Sequence, residues 1–255
     1  MNQYFRVSIA EKNIEIECHN RTVFKKCRDY LNDFDTPDIR VSTTIEELEE
    51  SVSHLPPIDE SYEGVATTRF YGEAESLIVC KKISEKMLLF NTFLMHGAVV
   101  ALNNYAYMFT APSGTGKSTR IKLWKELYPE SIVVNGDKPF IHIDNKQVIA
   151  YGSPWSGKEG WDTNIGVPLQ AIFILERVEE GEASSIRKID TGKAFPTLFR
   201  QSYHPENPEL MRKTLFLLKE LEEKVCIYKF RSELAPEAIE LAYNMAKPQS
   251  ILDNC

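Results

Sequence analysis

Long apolar runs are missing from this chain, and none approaches the ~20 residues that a membrane-spanning helix needs, so no span and no membrane partner are expected. Paired cysteines are missing too. Cys18, Cys27, Cys80, Cys226 and Cys255 are odd in number, scattered and without metal-ligand spacing, which argues against a disulfide framework or a zinc cluster and leaves reduced bystanders. Positive charge is not in surplus: 30 Lys and Arg face 37 Asp and Glu, a formal net charge of −7. Nucleic-acid binders carry a basic patch or stripe, so no nucleic-acid partner is expected. The first residues, Met1 to Arg6, lack the basic patch and apolar stretch of a secretory signal, from which a cytoplasmic location is expected. No internal repeat is visible.

What is present is an ordinary globular composition, 43% hydrophobic and 26% charged over 255 residues, enough for one large domain or a core with an appendage. Texture divides the chain at about residue 92. Residues 1–92 read as a small α+β domain. It holds a hairpin of Tyr4–Ile9 and Ile14–Cys18 joined across Glu11-Lys12-Asn13, a helix over Thr22–Leu31, and an acidic helix over Thr44–Val52. A loop over His54–Glu63 and a connecting helix from Glu73 to about Phe93 follow. Residues 93–255 read as a core domain. Met95–Leu102 and Tyr105–Thr110 form a hairpin about Asn103-Asn104. Further strands are expected at Ile132–Val134, Phe140–Ile143, Val148–Tyr151, Ala171–Leu175 and Val225–Phe230, and helices at Thr191–Arg200, Pro208–Leu221 and Pro236–Ala246.

The segment with the strongest chemical signal lies between the second core strand and the helix after it: Ala111-Pro112-Ser113-Gly114-Thr115-Gly116-Lys117-Ser118, followed by Thr119. It follows the phosphate-loop pattern except that Ala111 stands where the strict form has Gly, and average residue frequencies give roughly 0.02 chance matches in such a chain. The apolar run Tyr105–Phe109 before it and Ile121, Leu123, Trp124 and Leu127 at helical spacing after it supply the required strand, turn and helix. In such a loop backbone N–H groups turn toward a phosphate, Lys117 reaches its oxygens and the Ser118 hydroxyl ligates Mg²⁺. ATP with Mg²⁺ is therefore the expected cofactor, held by Ser113, Gly114, Thr115, Gly116, Lys117, Ser118 and Thr119.

Around that loop other residues carry a family likeness. His96-Gly97, the hairpin, the loop, a strand ending in Gly136-Asp137-Lys138 and the turn Gly152-Ser153-Pro154-Trp155-Ser156-Gly157 together resemble the HPr kinase/phosphorylase family. That family shares its core with ATP-dependent phosphoenolpyruvate carboxykinase and includes small kinases of peptide-modification clusters. The likeness covers about Met95–Leu175 and extends toward Phe230, leaving the N-terminal domain almost unmatched. It implies an α/β fold with a P-loop core and a mixed sheet. It also implies that Lys117 neutralises phosphate, that Ser118 ligates Mg²⁺, that Asp137 accepts a hydroxyl proton or holds the metal, and that His96 lies near the transferred phosphoryl. Where relatives carry two adjacent aspartates, this chain has Asn135-Gly136-Asp137. Glu159 is the candidate for the second catalytic and metal-holding carboxylate.

Phosphoryl transfer depends on placing cations on spreading negative charge. Besides Lys117, the candidates are Lys158, Arg177 and Arg200, while Trp155 and His142 read as structural. The leading expectation is an ATP-dependent phosphotransferase acting on a hydroxyl-bearing acceptor: a serine of a peptide or protein, or a small molecule. A homo-oligomer is left open. The alternatives are a nucleotide-dependent switch without a dedicated acceptor and a small carboxykinase-like enzyme, although carboxykinases are far longer.

Overall fold

The computed structural model describes residues 2–53, 65–112, 114–178 and 182–248, and its contacts separate the chain into two compact units, Met1–Met87 and Leu88–Cys255. In the first unit, β1 (Gln3–Ile9) and β2 (Lys12–Cys18) are antiparallel, with Ile9 opposite Lys12. The turn is therefore Ala10-Glu11, one step earlier than expected. Both residues take positive φ, 48° and 59°, as a tight hairpin turn demands. A third strand, β3 (Ile39–Ser42), lies parallel to β2. The helix expected over Thr22–Leu31 is instead α1 (Arg21–Lys26) and a separate 3₁₀ turn at Arg28–Tyr30. α2 (Ile45–Ser53) starts at a reciprocal cap, in which the Thr44 N–H donates to Glu47 and the Glu47 N–H donates back to the Thr44 hydroxyl. The loop expected over His54–Glu63 lies outside the described residues.

α3 (Val65–Met87) carries Glu75, fully buried, whose carboxylate accepts from the His19 and Asn20 N–H groups and the Thr43 hydroxyl. One side chain thus ties the ends of β2 and β3 to the helix. The connecting helix was expected to run to Phe93. It stops at Met87, passes through a 3₁₀ turn (Leu88–Phe90) and reverses at Asn91, whose φ is 54°, so that Thr92–Leu94 can join a sheet as β4.

The second unit is mixed α/β, built on a sheet of nine strands among the described residues. β5 (Ala98–Leu102) and β6 (Tyr105–Thr110) form the hairpin at Asn103-Asn104, again with positive φ at both turn residues. After α4 (Lys117–Leu127), β7 (Ile132–Asn135) pairs antiparallel with β5. β8 (Phe140–Ile143) pairs with β4 and with β9 (Val148–Tyr151). β10 (Gly166–Glu176) is longer than its apolar stretch suggested. Its first residues pair with β9, and its later ones run parallel to both β6 and β12 (Cys226–Arg231). β11 (Ser185–Lys188), mostly exposed and so without an apolar signal, pairs with β12.

Because both faces of the central strands are covered, alternate residues feed two cores. Met108, Ile172 and Ile174 enter one core with Leu198 of α5 (Phe195–Arg200) and Leu217, Leu218 and Leu221 of α6 (Pro208–Lys224). Tyr107, Phe109 and Phe173 enter the other with Trp124 of α4 and Ile239 of α7 (Pro236–Ala246). Trp124 is fully buried among Tyr107, Phe109 and Tyr243, and it fixes the helix that follows the 111–116 turn. α5 begins at Phe195, four residues later than expected, with Glu222 accepting the Ala194 and Phe195 N–H groups. The four described cysteines form no disulfide, and no described helix is long and apolar enough to cross a membrane.

Close backbone approach at Gly152 sets where β9 ends. A Cβ there would stand 2.0 Å from the Thr163 carbonyl oxygen and 2.8 Å from that of Val134. Gly152→Ala is expected to cost about 3 kcal/mol, read from urea denaturation. Gly160→Ala, at φ 65° but with nothing within 4 Å, should cost only about 1 kcal/mol. Equal losses in the two variants would contradict the close approach.

Candidate functional site

β6 delivers Ala111 from the middle of the sheet, and α4 begins at Lys117. Between them Gly116 takes φ 95°, and a Cβ there would press to 3.0 Å on both the Arg120 guanidinium and Leu234. The carbonyl oxygens of this turn face cations. Lys117 Nζ donates to Ala111 at 2.8 Å and Pro112 at 3.4 Å, Arg120 Nη1 to Thr115 at 3.0 Å and Gly116 at 3.4 Å, and Arg177 Nη2 to Gly114 at 2.6 Å. Arg120 is 1% exposed and is anchored through Nη2 to the Ser232 carbonyl and hydroxyl. Burial pulls its pKa down to about 10, so it keeps its charge at neutral pH.

With the carbonyls turned to these cations, no backbone N–H from Gly114 to Thr119 donates to a described residue. A helix start with free N–H groups is a place for an anion. The Thr115 hydroxyl bonds back to Pro112 rather than outward.

Across from the turn, β7 ends at Asn135, which is fully buried. Its amide donates to the Ser153 carbonyl, and its Oδ1 accepts the N–H groups of Asp137 at 2.8 Å and Lys138 at 2.7 Å. That side-chain turn aims Asp137. Its carboxylate meets His96 Nε2 at 3.2 Å and Lys138 Nζ at 3.4 Å. His96 is held in turn by Gln201, with Nδ1 2.9 Å from Oε1, while its own carbonyl accepts from the Thr110 hydroxyl. Burial raises the Asp137 pKa, but the hydrogen bond from His96 and the charge of Lys138 outweigh it and hold the carboxyl below the usual aspartate range. Burial lowers the Lys117 pKa, and the charge of Asp137 acts against that shift.

His96, Gly114, Gly116, Lys117, Ser118, Thr119, Asp137, Lys158 and Glu159 line one cleft of about 470 Å³. Glu159 is half-buried there and Lys158 exposed. Arg177 and Thr115 lie instead in an adjoining depression with Arg120 and Ser232, so the arginine serves the turn from outside the cleft. Arg200 is not brought to the cleft. It is exposed on α5, where it bonds to Thr197. Ser113 lies outside the described residues. Trp155 is buried and His142 bonds to Thr92 and Phe90, both as structural residues. Sequence reasoning missed Arg120, Lys138, Gln201 and Ser232. Arg120, four residues after Gly116, carried a spacing signal in hindsight, but Gln201 and Ser232 carried none. Among the described residues no three His, Cys, Asp or Glu side chains cluster as a metal site.

No family model and no curated protein matches the chain. Among solved structures it is similar to the Hpr(Ser) kinase/phosphatase from Coxiella burnetii, at 11% identity and a TM-score of 0.29 over 61% of this chain and 99% of that one. A superposition that loose decides nothing about the site, which stands on its own geometry.

Because its folded pKa is depressed, Asp137 contributes stability that is present above the unfolded aspartate value of about 3.8 and is lost as pH falls through the lower folded value. Asp137→Asn should therefore be less stable than wild type at pH 7, with the gap closing as the pH falls through the acid range. Urea midpoints across that range check this. A gap that stays constant or widens in acid would contradict the ion pairs assigned to Asp137.

Proposed function

We propose that the chain is an ATP-dependent phosphotransferase with a core of the HPr kinase and carboxykinase type, acting on a hydroxyl acceptor. The acceptor is a serine of a peptide or protein, or a small molecule. The observation that carries the reading is that Gly114, Gly116, Lys117, Ser118 and Thr119, whose N–H groups donate to no described residue, share one cleft with the held carboxylate of Asp137.

The donor chemistry suits Mg²⁺. The Ser118 hydroxyl and the Asp137 and Glu159 carboxylates are hard oxygen donors on that cleft, and Mg²⁺ takes one or two carboxylates together with substrate phosphates. Bound Mg²⁺-ATP would supply the transferable phosphoryl and neutralise its charge. The chain's own groups do the rest. The loop N–H groups hold phosphate oxygens, and the Lys117 ammonium, resting on the Ala111 carbonyl, adds a cation to them. Asp137 accepts a hydrogen bond from the acceptor hydroxyl and orients it. A carboxylate held below its usual range is a weak base, so positioning rather than early proton removal is its work. A loose phosphoryl-transfer transition state asks for little more. His96 and Lys138 keep the carboxylate in place.

Lys117→Ala is expected to lower ATP turnover about 100-fold or more with an unchanged circular-dichroism spectrum. Near-native turnover in that variant would overturn the reading. Across a Mg²⁺ titration with hydroxyl compounds added, Asp137→Asn should lose transfer while nucleotide affinity holds, and Glu159→Gln should shift the Mg²⁺ requirement upward. Equal, modest losses in both would show that neither carboxylate has the assigned role.

A further inference from the structure

On the face of the sheet that carries α5, a second cavity of about 260 Å³ opens beside the end of β10. Ile174 and Ala194 form its apolar floor, Thr197 offers a hydroxyl, and Arg187, Lys188, Lys193 and Lys229 surround it against the two carboxylates of Glu176 and Asp190. The carboxylates are already engaged, Glu176 with Lys229 at 2.5 Å and Asp190 with Lys193 at 2.6 Å. Arg187 lies near enough for its charge to lower the Asp190 pKa, after the Lys193 hydrogen bond and charge, but neither it nor Lys188 forms a close ion pair with a described residue.

The register sharpens the point. Arg187 of β11 stands directly opposite Lys229 of β12, which pairs with Ile174 of β10, so two cations share one face in neighbouring strands. Like charges placed directly opposite destabilise a sheet. Glu176 already offsets the charge of Lys229, and an anion in the cavity would offset that of Arg187.

The cavity also has a defined place relative to the cleft. Thr197 lies four residues, about 6 Å along a helix, before Gln201, which caps α5 and holds His96 beside Asp137. In β10, Ile174 pairs with Thr110, the last strand residue before the 111–116 turn.

We propose that this cavity is an anion subsite that recognises a phosphate or carboxylate group on the hydroxyl acceptor, so that the acceptor class is an anionic hydroxyl compound. The assignment rests on the phosphotransferase reading. It is tested by residue-resolved amide NMR with inorganic phosphate and, separately, acetate, added to wild type, to Lys117→Ala and to the double variant Arg187→Gln/Lys193→Gln. A parallel Mg²⁺-ATP titration is run on wild type.

The amides of residues 187–193 and 229 should move with at least one anion in wild type and equally in Lys117→Ala. The double variant should need about tenfold more anion. Phosphate and acetate separate the two headgroup chemistries by which of them acts. An ATP response with no movement at the cavity, or movement undiminished in the double variant, overturns the subsite alone. Cavity movement without any ATP response overturns the acceptor assignment together with the phosphotransferase reading.

Discussion

Positive charge held behind the turn from Ala111 to Gly116 keeps its peptide groups in one orientation. Lys117, Arg120 and Arg177 each take carbonyl oxygens of that turn, and hydrogen bonds to a charged donor are worth roughly 1.5–3 kcal/mol each. The orientation has a cost, because it leaves the N–H groups of Gly114–Thr119 without acceptors among the described residues. Much of the surrounding architecture serves the three cations. Ser232, just past β12, anchors Arg120, and Arg177 follows directly on β10. The aromatic cluster around Trp124 fixes the helix from which Lys117 and Arg120 project.

The end of β7, the strand at the edge of the sheet, supplies the other half of the cleft. β7 stops at Asn135, whose side chain closes a turn that sets Asp137 against His96 and Lys138. Asn135 is fully buried, and both ends of its amide are spent on backbone and Ser153. An aspartate there would lose the donated bond to the Ser153 carbonyl and bury a charge, so an amide suits a position that shapes the turn.

Much of this was legible in the sequence where a local rule acts alone. Asn103-Asn104 announced its hairpin because both residues tolerate positive φ, and the apolar run before Ala111 with helical spacing after Ser118 announced strand, turn and helix. Local rules fail where pairing decides. β11 and β3 are short and half exposed, and they exist because β12 and β2 offer free edges. Thr92–Leu94 reads as the tail of a helix yet is drawn into β4 by β8. At the site, residue type pointed to Lys117, Ser118, Asp137 and Glu159. Of the partners that aim them, Gln201 and Ser232 are brought there by tertiary contact and carry no motif, while Arg120 and Lys138 lie close by in sequence but have no residue-type signal for their role. Arg177 was read as a candidate cation for phosphate, but it acts on the turn's own carbonyl.

On the phosphotransferase reading, the N–H groups from Gly114 to Thr119 are kept free to receive phosphate. Residue-resolved amide hydrogen exchange with and without Mg²⁺-ATP tests it most directly. Those amides are expected to exchange readily in the free protein and to become protected when nucleotide is added. Exchange that is already slow without nucleotide, or unchanged with it, would contradict the claim.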